Sequence, residues 1–285
     1  VIAFTPTFIQ QLLTLTGPLK VDEVVFDAPT LFDKLEWHVE QGYVGKGLPE
    51  SQRKEIVGAL AQKLHTALLR LPVTVWPNLL TTLTNALSER HLMIFSTSPS
   101  LNAKLISHNA IGPRMTEHYR TPAHDFLMVL DANLAALKTD EVMERSFAYE
   151  VKEQQEQGPI ATLTLRYRNK GSFSWKWTRY RSYTRVLVPQ GSQLVEGPPN
   201  TEISQELGFT SFGTFFTVEP GMETSIVLRY RLPQALQASL SQGTYTLQAL
   251  KQAGTLAIPL TFTIDSAKIS KRIETDLRVD RTISL

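Results

Sequence analysis

The residues best placed to do chemistry stand at the end of one apolar run. Asp125-Phe126-Leu127-Met128-Val129-Leu130 leads into Asp131 and Asn133, and Lys138, Asp140 and Arg145 follow closely. A buried strand over Phe126–Leu130 would deliver Asp131 and Asn133 to its end, where α/β proteins usually bind ligands. With Arg90 and Arg114, these groups could face an anionic polymer. The same groups suit a second purpose. A polar boundary between two domains must be solvated or internally paired, because an unpaired buried charge is costly. On that reading Asp140 pairs with Arg145 or Lys138, Asn133 bonds backbone in the turn, and the set is a clamp.

A second candidate is the stretch Arg166–Arg185, the richest in charge and rings, which contains Trp175, Trp177, Arg179 and Arg181. Cations interleaved with aromatics can hold an anionic polymer, and exposed tryptophan suits carbohydrate. The alternative is two strands with aromatics turned in and arginines turned out.

Other chemistries find less support. A metal site could be drawn from Glu117, His118, His124 and Asp125, but no characteristic ligand spacing backs it, so no metal is expected. The chain has no cysteine, which excludes disulfides, thiolate metal sites and cysteine nucleophiles. It lacks a Gly-x-Ser-x-Gly elbow, a Walker loop and a dinucleotide fingerprint, so no catalytic residue is assigned. Asp27, Asp33 and Glu36 stand near the start of one helical stretch, where carboxylates favourably meet the helix dipole.

The elements that must position these groups change character along the chain. Residues 1–143 mix short strand-like runs with helical periodicity, which predicts an α/β domain with a mixed sheet and several helices. Thr5-Pro6 opens a helix that Gly17-Pro18 closes. Val21–Phe26 reads as a short edge strand, Pro49–Arg70 as the longest helix, and Leu92–Phe95 as a buried strand. From about residue 145 the period becomes two. Phe147, Tyr149 and Val151 alternate with polar residues, as do Leu163, Leu165 and Tyr167, and later Ile258, Leu260, Phe262 and Ile264. Residues 144–285 therefore read as an antiparallel β-sandwich, with Trp175 or Trp177 at least partly buried.

Length and composition agree with two domains. The chain has 285 residues, 42% hydrophobic and 20% charged, with a net charge of +2. So weak a charge gives no field for nucleic acid. No apolar run reaches the about 18 residues a spanning helix needs. The chain opens on Val1-Ile2-Ala3-Phe4, without methionine and already in a β-like run. That reads as an N-terminally incomplete domain, with any membrane anchor upstream. Val1–Phe4 is expected as an interior strand beside Leu92–Phe95 or Phe126–Leu130.

Several segments together resemble the bacterial family catalogued as domain of unknown function 4012. They are Val1-Ile2-Ala3, Pro6–Leu13, Thr16-Gly17-Pro18, Arg90-His91-Leu92, Asp125–Leu130 with Asn133 and Lys138-Thr139-Asp140, Tyr180–Ser192, and Thr275–Arg281. Where that family has glycines between the Asn and the Lys, this chain has Leu134-Ala135-Ala136-Leu137. The layout of the α/β half is also distantly similar to the LytR–CpsA–Psr family, which transfers glycopolymers from lipid pyrophosphate carriers. The resemblance implies an extracytoplasmic bacterial envelope or surface protein without enzymatic activity, acting as an interaction or assembly module. Its partners would be other envelope or surface proteins, further copies of itself, or a cell-wall polymer, and no cofactor is expected. The alternative is a glycopolymer phosphotransferase or a degenerate relative, with magnesium and with Arg90, Arg114, Asp131 and Arg145 near a pyrophosphate-linked substrate.

Overall fold

A computed structural model describes residues 1–45, 47, 49–107, 123–154 and 158–285. Packing divides the chain into two compact units, Val1–Gly112 and Pro113–Leu285.

The first unit is rich in helix. Strand β1 (Ile2–Phe4) precedes α1 (Pro6–Thr16), then β2 (Leu19–Val21) and β3 (Val24–Phe26). Next come α2 (Leu31–Trp37), a π-helical turn over His38–Gly42, and α3 (Tyr43–Gly45). Then follow α4 (Glu55–Leu69), α5 (Trp76–Ser88), β4 (Leu92–Ile94) and α6 (Pro99–Ser107). Thr5 has the extended backbone of an N-cap and Pro6 opens α1, where a missing N–H costs nothing. The Thr5 hydroxyl does not cap the helix. It meets His91 Nδ1 at 2.9 Å and ties the entry of α1 to the entry of β4. The core gathers Phe8, Leu12 and Leu13 of α1, Val21, Phe26, Leu31, Leu60 and Leu64, Ala86 and Leu92.

Three expectations for this unit change. Val21–Phe26 is the turn and second strand of a hairpin over Leu19–Phe26, β2 against β3, turned at Asp22 with φ 51°. The longest helix starts at Glu55, after a separate 3-10 turn over Glu50–Gln52. Strand β1 does pair with β4, antiparallel, with Ile2 opposite Ile94, but the pair is a two-stranded ribbon and β1 is exposed along its length. An apolar run in so short a ribbon has only one edge to pair and no sheet to enter.

The second unit is a sandwich of two six-stranded sheets. Its strands are β5 (Asp125–Asn133), β6 (Met143–Lys152), β7 (Ile160–Asn169), β8 (Tyr180–Val188), β9 (Gln193–Glu196) and β10 (Glu202–Glu206). They continue with β11 (Phe209–Val218), β12 (Glu223–Arg231), helix α7 (Ala235–Gln242), β13 (Thr246–Leu250), β14 (Pro259–Asp265), β15 (Ser270–Asp276) and β16 (Arg281–Ser284). One sheet runs β10-β11-β8-β5-β13-β16, the other β15-β14-β6-β7-β12-β9. Alternate residues of both enter one core, including Leu127 and Val129 of β5, Phe147 and Tyr149 of β6, and Phe212, Leu247 and Phe262. Period-two alternation produces this arrangement, because successive side chains leave a strand on opposite faces.

Two features differ from the expected sandwich. Strand β5 lies at the centre of the first sheet, antiparallel to β8 and parallel to β13, so the unit begins upstream of 143. A continuous apolar run marks a buried strand but does not say which sheet it enters. Each sheet is also mixed rather than purely antiparallel, for β14 runs parallel to β6. Among the described strands the chain passes from one sheet to the other eight times, and two of these crossings, β5 to β6 and β13 to β14, run in the same direction. Because β13 is the parallel neighbour of β5 and β14 that of β6, the β13–β14 crossing lies alongside the β5–β6 crossing.

Candidate functional site

Asp131 projects from β5 on the face that carries Leu127 and Val129, and Arg145 from β6 on the face that carries Phe147. The two strands belong to facing sheets, so the pair meets inside the sandwich, where the chain first crosses. Arg145 Nε donates to Asp131 Oδ2 at 2.8 Å. Its Nη2 donates to Asp140 Oδ1 at 2.5 Å and to the Tyr180 hydroxyl at 2.9 Å. The Tyr167 hydroxyl and Thr184 Oγ1 both donate to Asp131 Oδ1, at 2.9 and 2.6 Å. The rings of Tyr167 and Tyr180 lie 5.9 and 5.4 Å from the guanidinium carbon, within cation–π range.

The side chains of Arg145 and Asp131 are 8% and 3% exposed, while that of Asp140 is 45% exposed. Burial by itself would weaken the hold of Arg145 on its proton. The facing Asp131 carboxylate, with Tyr180 and Asp140, outweighs burial and raises its pKa. Burial, reinforced by Asp131, pushes the Tyr167 and Tyr180 hydroxyls up, so both stay protonated, Tyr167 donating to Asp131 while Tyr180 accepts from Arg145.

The turn that carries the chain across is pinned from within. Asn133 Oδ1 accepts the Ala136 N–H at 2.9 Å, and Nδ2 donates to Leu137 O at 3.1 Å and Asp140 Oδ2 at 2.8 Å. Thr139 Oγ1 donates to Ala136 O at 2.5 Å and accepts the Thr178 N–H at 3.0 Å. Ala135 and Leu137 sit in the left-handed region, with φ 57° and 51°, where a Cβ is disfavoured. The Gln252 side chain binds both sides of Asp131, accepting its N–H at 2.8 Å and donating to its carbonyl at 2.9 Å. It thereby joins the β13–β14 crossing to the β5–β6 crossing.

The structure thus brings together Asp131, Asn133, Asp140 and Arg145 of the expected set. Lys138 enters through its backbone N–H, bonded to Lys176 O at 3.0 Å, with an exposed side chain. Arg90 belongs to the first unit, buried, with φ 55° just after α5. Arg114 lies outside the described residues, as do Glu117 and His118. Tyr167, Tyr180, Thr184 and Gln252 complete the cluster without having been singled out from the sequence. Inward alternation around Tyr167 was the available signal for the first. Nothing local marks Gln252.

These neighbours do not suit magnesium. Both oxygens of Asp131 are taken by cationic or hydroxyl donors, and a buried guanidinium stands where a second anionic ligand would be needed. Among the described residues, no group of three or more His, Asp or Glu side chains could hold a metal.

The aromatic and basic stretch comprises the end of β7, a bent connection over residues 170–179 and the start of β8. Trp175 is exposed, while Trp177 is half-buried and donates from Nε1 to Glu141 Oε2 at 3.2 Å. Arg179 pairs with Glu219 at 3.3 Å. Arg181 is exposed on β8. On the strands themselves, Tyr167 and Tyr180 turn in while Arg166, Arg168 and Arg181 turn out.

A second buried polar cluster lies at the start of β5. Asp125 is fully buried. Its Oδ2 accepts the Tyr149 hydroxyl at 2.6 Å and the Tyr245 hydroxyl at 2.5 Å, and its Oδ1 accepts the Phe126 N–H at 2.7 Å. Burial wins over these three bonds and pushes the carboxyl up to about 6. Tyr230 stacks on Tyr149 with ring centroids 6.5 Å apart. Its buried hydroxyl has no partner in hydrogen-bonding geometry among the described residues.

Comparison with known proteins adds little. No family model matches the chain. No curated protein matches it. Among solved structures, a protein of Legionella pneumophila subsp. pneumophila strain Philadelphia 1, provisionally named a nutrient binding protein, is similar at 8% identity. The match covers 56% of this chain and 70% of that one, with a TM-score of 0.35.

Proposed function

We propose that the chain is a non-enzymatic extracytoplasmic protein of the bacterial envelope or surface, acting as an interaction or assembly module. The observation that carries this reading is the Asp131–Arg145 cluster. Its charges and hydroxyls are directed at one another inside the sandwich, at 2.5–2.9 Å. Groups so engaged fix the crossing between the sheets, and a substrate would have to break those bonds to use them. A sandwich locked in this way offers rigid strand edges and exposed sheet faces, which suits a module that holds partners. The likeness of the sequence segments to the domain of unknown function 4012 family points the same way.

Fractionation of the native host with an antibody to the chain tests the reading. Recovery with the envelope, together with loss of signal on protease treatment of intact cells, is the expected result. Recovery in the cytosol would overturn it. So would turnover of a pyrophosphate-linked glycopolymer by the purified chain that Arg145→Met abolishes.

A further inference from the structure

The two sheets end in four edge strands, β10, β16, β15 and β9. An edge presents a row of backbone donors and acceptors to solvent and is a template for another strand. Strand β15 is the longest of the four, at seven residues. Its hydrogen-bonding phase follows from the pairs that flank it. Leu277 N donates to Ile258 O and Ser266 N to Ile269 O, both at 2.8 Å, and the register between β14 and β15 is unbroken. Alternation in an antiparallel pair then turns the N–H and C=O groups of Lys271, Ile273 and Thr275 towards β14. Those of Ser270, Arg272 and Glu274 point away from the sheet. The Arg272 and Glu274 side chains are 65% and 73% exposed, so among the described residues this stretch of the edge is open.

We propose that β15 pairs antiparallel with β15 of a second copy, about a two-fold axis at Ile273. The proposal deepens the assembly-module reading and rests on it. In this register Arg272 lies opposite the partner's Glu274, and Glu274 opposite the partner's Arg272. These are the residues whose backbone groups face outward, so each such pair can exchange both backbone bonds. Lys271 falls opposite the partner's Thr275, Ser270 opposite the partner's Asp276, and Ile273 meets the partner's Ile273 beside the core on which it packs. No like charges oppose one another. A shift of the axis by one residue would set Arg272 against Arg272 or Glu274 against Glu274.

The other edges do not offer this. An axis at Ser204 in β10 would oppose Glu202 to the partner's Glu206, and these carboxylates already bind Tyr183 and Arg185 within the chain. Strands β9 and β16 have four residues each. Within one chain Arg272 Nη2 already meets Glu274 Oε1 at 2.9 Å. Association therefore exchanges one ion pair for an equivalent one, the new backbone bonds supply affinity, and the charges set the register.

Sedimentation velocity of the whole chain, at loading concentrations up to about 1 mM, tests the proposal. The unmodified chain is expected to dimerise reversibly. Arg272→Glu and Glu274→Arg each place like charges opposite across the axis and should weaken the dimer at least about tenfold. Mixed together, the two variants restore both opposite-charge pairs and should form a heterodimer. Circular dichroism of each variant checks that it folds, which substitution at exposed side chains should allow. An unmodified chain that stays monomeric overturns the proposal, as does a dimer that both variants leave intact. Either result leaves the envelope reading standing on its fractionation test.

Discussion

Removing Arg145 should cost the second unit several kilocalories per mole, and removing Asp140 should not. Arg145→Met keeps the length and apolar stem of the side chain but leaves the Asp131 carboxylate, 3% exposed, with only the Tyr167 and Thr184 hydroxyls donating to it among the described residues. Breaking a buried pair from one side typically costs about 3–5 kcal/mol. Asp140→Ala removes a partner that is 45% exposed, where solvent screening leaves less than about 1 kcal/mol. The double variant Asp131→Asn with Arg145→Met has no orphaned charge. It should recover part of the loss, giving a coupling of about 2 kcal/mol or more. Urea unfolding followed by tryptophan fluorescence measures this. Trp37→Phe and Trp76→Phe form the background, because these exposed residues belong to the first unit and Trp175 and Trp177 report on the second. At about 2 kcal/mol per molar urea, Arg145→Met should lower the midpoint by about 1.5–2.5 M. Equal midpoints for Arg145→Met and Asp140→Ala would refute the argument that the buried pair clamps the sheets.

Three further outcomes follow from the same geometry. The folded-state pKa of Asp125 lies above its ordinary value, 3.8 against about 6, so its ionised form is disfavoured by folding. Below pH 3.8 this group costs no stability, through the window between the two values the cost grows, and above about 6 it reaches about 3 kcal/mol. The pH dependence of unfolding, taken as the difference between the unmodified chain and Asp125→Asn, should show that loss with rising pH, and a flat difference would exclude it. Ala135→Gly should raise stability by about 0.5–1 kcal/mol, since φ 57° strains a residue with a Cβ, and a drop in the melting midpoint would contradict that backbone assignment. Tyr230→Phe should be neutral or stabilising, because it deletes a buried hydroxyl that finds no partner in hydrogen-bonding geometry among the described residues. Tyr149→Phe, which removes a donor from the Asp125 carboxylate, should cost about 1.5–3 kcal/mol; equal effects of the two in calorimetry would contradict the pairing.

The alternation around Phe147, Leu163 and Phe262 was legible in the sequence because burial on one face of a strand imposes period two. The same rule says nothing about strand direction, which is why the parallel pairs β5–β13 and β6–β14 could not be read. It does not say which sheet an apolar run joins, and so Phe126–Leu130 was assigned to the wrong side of the boundary. Of the polar cluster, the density of Asp131, Asn133, Asp140 and Arg145 was visible because they are close in sequence. The clamp was expected between domains and instead lies between two sheets of one unit. Tyr180, Thr184 and Gln252 reach it from 35 to 121 residues away, and only tertiary pairing could bring them there. The left-handed backbone at Ala135 and Leu137 was also hidden, since their side chains give no hint of a positive φ.

The bonds between Gln252 and the Asp131 backbone span 121 residues, and that distance sets a waiting time. Strand β5 gains its parallel neighbour only when β13 has been made. At about 5–20 residues per second of synthesis, the interval is about 6–24 s. Throughout it, β5 can pair with β8 but keeps one open edge of buried-type residues, Phe126 to Leu130. Parallel pairing at such separation is slow even in a complete chain. The nascent protein therefore passes through a period in which the apolar run of β5 lacks one of its two neighbours, and a holdase would protect it there.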